Sequence, residues 1–543
     1  MELEEYEDVG NLTRKITTIS REAQVYCDRA LIQMYGLCYP ESIRLFQKAL
    51  EFDENIPFAL WGISYCYGPG INYNNLPEEY YVDGYATYLK ALEKIEYANE
   101  WEKDLILSLE HRYPVEIPKT FKEKIDIIRN YRKEFRKIYE KYPNDLDIVS
   151  IYIEGVISIH RTMLWNLDKS PTPEVLEAKE ILERVSKLGY HPQICHLYIH
   201  TLEHHPIYYK DALESAELLY KNTKNIGHHI HIPLHIFFIY GRYKDCIEGG
   251  IKSVDAGNIV TKRIGMYNFY AINKVHEIIY TVYAAMFAGN YEIAIKYAMQ
   301  LKDEMDEKLI DLLYSNIEWY YSTYFHVYVR FGKWDEILSE DIIQMEKYHV
   351  TRIIQRYARS VAYAVKGDVI ESEKEFNLFK KYRENVPKNH LIGNNPAQDV
   401  FQVGYHMALG EILYRKKDYE NGFNHLRESV KLCDRLKFSE PWDWMQPPRH
   451  ALGALLLEQD HIEESIKVYI DDLDIFKENI WSLIGLEECF TKLRLKLIDY
   501  GKTADVENCE NQLKEVKTKL TKLREEYGVK IKASCFCKKK LNK

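Results

Sequence analysis

Nine of the chain's 19 histidines fall between His191 and His235, where an even spread over 543 residues would place about one or two. Two strings carry most of them. The first is CHLYIHTLEHHP, from Cys195 to Pro206, and the second is GHHIHIPLHIFF, from Gly227 to Phe238. On a helix, His196, His200 and Glu203 stand at i, i+4 and i+7 and project from one face. His228, His231 and His235 stand at i, i+3 and i+7 and form a second stripe, with Pro233 tolerable in the first turns or else a kink. His204, His205 and His229 fall off the stripes and read as bystanders or outer partners.

Neutral imidazole is the commonest protein ligand for transition metals, and two ligands one helical turn apart share an ion readily. Three His with a carboxylate and open positions suit catalysis, and two His with one carboxylate suit non-haem Fe(II). Six His are enough for two ions. The predicted cofactor is therefore a divalent transition metal, Fe, Zn, Cu or Mn, held by His196, His200, Glu203, His228, His231, His235 and His276. Glu203 doubles as candidate general base. Glu203 or Glu277 can also supply the second-sphere acceptor that a ligating imidazole needs for its other nitrogen. The spacing is not His-Glu-x-x-His, so the usual zinc-protease base is absent. The competing reading is structural, with neutral His stacks bridging helices by hydrogen bonds.

These stripes need elements to hold them. Helical periodicity runs through the whole chain, and the breaks share one form: a Gly or polar turn, an anchoring aromatic or aliphatic residue, then a second amphipathic helix. It recurs as YGRYKDCIEG from Tyr240, AGNYEIAIKYA from Ala288, FGKWDEIL from Phe331, VKGDVIESEKEF from Val365, RKKDYENGFNHL from Arg415 and EQDHIEESIKVY from Glu458. Helix pairs of this kind cannot bury their apolar faces alone, so neighbours must stack. The predicted fold is all-α, a tetratricopeptide-like α-solenoid of stacked antiparallel helix pairs. A continuous array is expected over 1–503, with the His-rich repeats at about 185–290, followed by a capping helix and frayed basic tail over 504–543. First helices of consecutive pairs lie side by side, which sets the two stripes, and His276 on the next pair, against a common inner space.

Three stretches read as loops: Tyr65–Tyr88, Leu167–Pro173 and Glu384–Gln398. The string EPWDWMQPPRH, Glu440 to His450, either closes a ligand cavity or wedges two repeats, and Trp165 to Asp168 raises the same choice. Composition agrees with a helical array: 17 Pro and 25 Gly are too few for a β-sandwich or propeller. The net charge of −10 argues against nucleic acid as a partner. No apolar stretch spans a bilayer, no secretory signal opens the chain, and ten scattered cysteines suit a reducing cytoplasm.

The same strings resemble a family of tetratricopeptide-repeat proteins, the resemblance covering nearly the whole chain. HLYIHTLE and GHHIHIPLHIFFIYGRY are similar to its His-x-Tyr-Ile-His-x-x-Glu and Gly-His-x-x-His-x-Pro-x-His-Ile strings. ITTISREAQVYCDRAL to GISYCYGPGIN looks like its opening repeat, and EPWDWMQPPRHALGALLLE and ENIWSLIGLEE like its closing ones. The resemblance implies the same fold and singles out His196, His200, Glu203, His228, His231 and His235. Where members carry His-Asn-x-His on the next repeat, this chain matches only at His276, with Glu277 and Ile279 in the other places. The family is named for its repeats rather than a reaction. Two functions follow as expectations: a metal-dependent oxidoreductase or hydrolase acting on a small molecule in the concave channel, or a non-catalytic scaffold whose groove binds a peptide or partner protein.

Overall fold

A computed structural model describes residues 3–72, 76–159, 164–166, 168–203 and 208–538. Among these residues the chain forms 25 α-helices and one hairpin of two-residue strands. It is an all-α, tetratricopeptide-like solenoid fold of antiparallel helix pairs. No described helix is long and apolar enough to cross a membrane.

The chain divides into two compact units. The first holds residues 1–236 and 252–274, the second 237–251 and 275–543. In the first unit, Arg21–Tyr35 pairs with Tyr39–Phe52, Pro57–Tyr67 with Glu78–Glu93, and Phe121–Lys141 with Leu146–Ser158. Side-chain caps set the starts. Ser20 accepts from the Ala23 amide, Thr120 and Glu123 close a reciprocal capping box, and Asp145 accepts from the Ile148 amide. The core is built from large rings, with Tyr26, Tyr35, Trp61, Tyr131 and Tyr152 all buried.

The expected loop over Tyr65–Tyr88 is only partly a loop. A helix runs Glu78–Glu93, and its Tyr-rich, Gly-containing text concealed the helical period. The irregular part is pinned from inside. The buried Arg112 donates to the Tyr65 carbonyl at 3.1 Å and the Pro69 carbonyl at 2.5 Å, and buried Glu154 accepts from the Ile71 amide at 3.2 Å.

In the second unit, pairs include His349–Lys366 with Val369–Glu384, Ala397–Arg415 with Tyr419–Asp434, and Ile480–Asp499 with Thr503–Tyr527. The recurring link has one physical basis: each contains a residue in the left-handed region. Gly241, Gly289, Gly332 and Gly367 fill it at φ 76°, 75°, 65° and 91°, while Lys417 and Asp460 occupy it at 66° and 72° without glycine's freedom. The predicted Glu384–Gln398 loop is an ordered connection carrying the Leu391–Ile392 and Asn395–Pro396 hairpin. The Glu440–His450 string packs as a wedge: Trp444 is buried edge-on to Tyr357 and His326, and His450 bridges Arg330 at 2.6 Å to Asp472 at 2.7 Å.

The tail is not frayed over its described part. Ile531, Ala533, Ser534 and Cys537 are buried, Tyr469 donates to Ser534 Oγ at 2.8 Å, and Cys535 is disulfide-bonded to Cys537. Apolar residues spaced along a Lys-rich text gave too weak a period to announce this packing.

Candidate metal centre

The His strings fall on two helices of unusual character. Pro192–Leu202 is buried at every position, and Gly227–Ile239 is buried through Phe238. Helices apolar all round sit in an interior. Polar side chains on them must find partners there or cost free energy. Pro192 opens the first helix at a position where its missing N–H is no loss. Pro233 lies inside the second.

The partners form a connected set within the first unit. Glu203 follows the last turn of its helix, and its carboxylate spans two imidazoles. Oε1 accepts from His200 Nδ1 and Oε2 from His235 Nδ1, both at 2.7 Å. A carboxylate can only accept here, so both Nδ1 atoms carry a proton, which in a neutral imidazole leaves the lone pair on Nε2. Gln193 does the same for His196, its Oε1 accepting from Nδ1 at 2.7 Å. His196 Nε2 lies 2.9 Å from His228 Nε2, and His231 Nε2 lies 2.8 Å from His235 Nε2. One nitrogen each from His196, His200 and His228 falls within a 4.8 Å group. The rings continue from there: His196 and His200 are 4.8 Å apart between centroids, and His228 and His231 6.1 Å.

The whole set is buried. His196 and His231 are 0% exposed, and the other four members are all below 5%. Burial, aided by the neighbouring His200 and His228, holds the His196 imidazole well below its ordinary pKa. It is therefore neutral at physiological pH, the form that ligates. Nitrogens ligating one ion at about 2.1 Å lie about 3.0 Å apart at right angles and about 3.4 Å apart in a tetrahedron. The 2.8 and 2.9 Å separations are therefore on the scale of a ligand edge. On donor chemistry and spacing, the residues fit a transition ion.

Other residues of the prediction have surroundings of their own. His229 leaves the stripe: it donates from Nε2 to the Tyr35 carbonyl at 3.1 Å, and burial pushes its pKa down to about 3. His191 meets Asp147 at 3.2 Å, a carboxylate also held by Arg14 and Tyr35. His276 and Glu277 stand on Tyr270–Ala288 in the second unit, with His276 half-buried beside Tyr280. His204 and His205 lie outside the described residues. Trp165 donates to the Thr201 carbonyl at 3.1 Å, at the end of the His196 helix. Gln193 was missed by sequence reasoning, although its place three residues before His196 is the spacing that lets it reach Nδ1.

No family model matches the chain, and no curated protein matches it. Solved structures of repeat proteins align over most of its length at low similarity. The Cut9–Hcn1 hetero-tetramer of the APC/C shares 11% identity over 96% of this chain and 97% of that one, with TM-score 0.28. The human IFIT1 dimer with m7Gppp-AAAA shares 14% over 94% and 91%, with TM-score 0.32. Yeast Tom70 shares 13% over 90% and 96%, with TM-score 0.31. Likeness at this level says nothing of the site, which stands on its own geometry.

Proposed function

We propose that this helical-repeat protein binds a transition metal in its first unit. His196, His200 and His228 are the ligands, and His231 and His235 extend the set. Glu203 and Gln193 act behind them as orienting acceptors. One observation carries the reading: Nδ1 of His196 is held by Gln193 and Nδ1 of His200 by Glu203, which leaves Nε2 of these two ligands to bind, and Glu203 holds Nδ1 of the neighbouring His235 in the same way. Ligating histidines characteristically use their second nitrogen in this way. In this reading Glu203 serves as a positioning residue rather than as a direct ligand or base.

Three His ligands leave coordination positions open, as catalytic sites do. A bound ion there would supply Lewis acidity or bind O₂. The protein's own contribution is to hold the His196 imidazole neutral, orient its neighbours by their Nδ1 hydrogen bonds and exclude bulk water. A metal-dependent oxidoreductase or hydrolase of a small molecule is the enzymatic form of this proposal.

Titration with Co(II) tests the proposal. Untagged protein should develop the visible absorption of imidazole-ligated Co(II), and a His196→Ala/His231→Ala variant should lose it. An unchanged spectrum in the variant would refute the ligand assignment.

A further inference from the structure

The segment before the first helix is neither helix nor strand, yet it is held closely by the first unit. Between Glu4 and Asp8 both backbone and side chains are read. The Glu4 amide donates to Tyr26 Oη at 3.0 Å, and the Asp8 carbonyl accepts from the Asn225 amide at 3.2 Å and from its Nδ2 at 2.8 Å. Arg44 grips the Glu4 carboxylate with two nitrogens of one face, at 2.7 and 3.1 Å. Arg263 grips Glu7 through a second fork, at 2.7 and 2.9 Å. Between these forks the Tyr6 ring lies under two guanidiniums, Arg29 at 4.7 Å and Arg263 at 4.5 Å from its centroid. Its hydroxyl donates to Glu41 at 2.9 Å and accepts from Gln33 at 3.0 Å.

This is how an extended peptide is recognised: main-chain hydrogen bonds give affinity and side-chain sites give sequence preference. The receptor residues come from three helices, Arg21–Tyr35, Tyr39–Phe52 and Tyr243–Ile264, and from the turn at Asn225. Three guanidiniums face the segment against one buried carboxylate, Glu41, an excess of positive charge on a chain of net charge −10. Bidentate forks choose carboxylates, and the paired guanidiniums choose an aromatic ring between them.

The contacts also have the character of an exchangeable ligand. Between Leu3 and Lys15 no residue is buried, and the anchors are partly exposed ion pairs, with Arg44 at 26% and Glu4 at 31%. Such contacts are screened by salt and can be matched by the same groups presented on another chain. We propose that this groove is a docking site for an extended acidic segment of the form Glu-x-Tyr-Glu, which the chain's own residues 4–8 occupy until a partner segment displaces them.

The test uses full-length protein and a fluorescein-labelled peptide of residues 3–10, LEEYEDVG. Anisotropy should show binding to a Tyr6→Ala/Glu7→Ala variant at least about tenfold tighter than to wild type, because the tether no longer competes. Adding Arg263→Glu should abolish it, and raising salt should weaken it. Equal, negligible binding to wild type and the double variant, with the variant folded, overturns the proposal. So does binding that survives Arg263→Glu. Hydrogen exchange on unmodified protein is a second readout. The Glu4 amide should exchange at least about tenfold faster than core amides, whereas protection equal to the core would make the segment a fixed part of the fold and overturn the proposal.

Discussion

Replacing Glu203 with Gln changes one atom's chemistry and leaves the side chain's shape nearly intact. The wild-type carboxylate accepts from Nδ1 of His200 and of His235 at 2.7 Å each. A carboxamide has one accepting oxygen and one donating nitrogen, so it can satisfy only one of these protons. The other imidazole must turn its Nδ1 lone pair toward the new NH₂ and move its proton to Nε2. That nitrogen is then no longer a ligand. Losing an orienting partner of this kind weakens metal binding by about 10–100-fold, or about 1.4–2.7 kcal/mol. Competition against a chromophoric chelator at neutral pH, on untagged wild type and Glu203→Gln, measures this ratio. Because the carboxylate is fully buried, a thermal melt must accompany it to show the variant folded. Equal affinities in two folded proteins would refute the argument, since Glu203 would then not be setting the tautomers.

Three further outcomes follow from the second unit. Burial pushes the Glu318 carboxyl from 4.5 up to about 7, although it accepts hydrogen bonds from the Val350 and Thr351 amides and the Thr351 hydroxyl. Its folded pKa is raised, so the native state binds the proton more tightly. Its stabilising contribution is full below about pH 4.5 and is lost as pH rises through about 7, a change of about 3 kcal/mol. Denaturant melts at acidic and alkaline pH should show wild type losing more stability on alkalinisation than Glu318→Gln, and parallel profiles would contradict this. Lys417→Gly should stabilise the protein by about 0.5–1 kcal/mol, because φ 66° is strained for Lys and free for Gly; an unchanged or lowered melting temperature would count against it. Gly485→Ala should cost about 1–3 kcal/mol, since its methyl would come within 2.2 Å of the fully buried Tyr469 ring, and a melt within error of wild type would show that the ring can move.

The parts legible in the sequence were those whose physics is local. The hairpin links announce themselves because one left-handed residue per link calls for Gly or a polar substitute, as at Gly289 and Lys417. The two His stripes are visible because i, i+4 spacing fixes a face before any tertiary structure is known. Less local features were hidden. The Glu203 carboxylate meets His235, 32 residues away, as well as His200 beside it. The arginine groove was missed altogether, because Arg29, Arg44 and Arg263 reach one irregular segment from widely separated text. The helix at Glu78–Glu93 was obscured by its tyrosines, two of which are buried and two only partly so. The tail's docking depends on a receiving surface, including Tyr469 and the space over Gly289, that its own composition does not reveal.

The central claim is that the buried imidazoles of the first unit hold a metal, and elemental analysis reads this directly. Untagged full-length protein, reconstituted separately with Fe, Zn, Cu and Mn and then desalted, should retain about one or more equivalents of one of these ions per chain. A folded His196→Ala/His228→Ala variant treated identically should retain little. Sub-stoichiometric metal in wild type under every condition, or equal retention in the two proteins, would contradict the account and leave the cluster as a hydrogen-bonded bridge between helices.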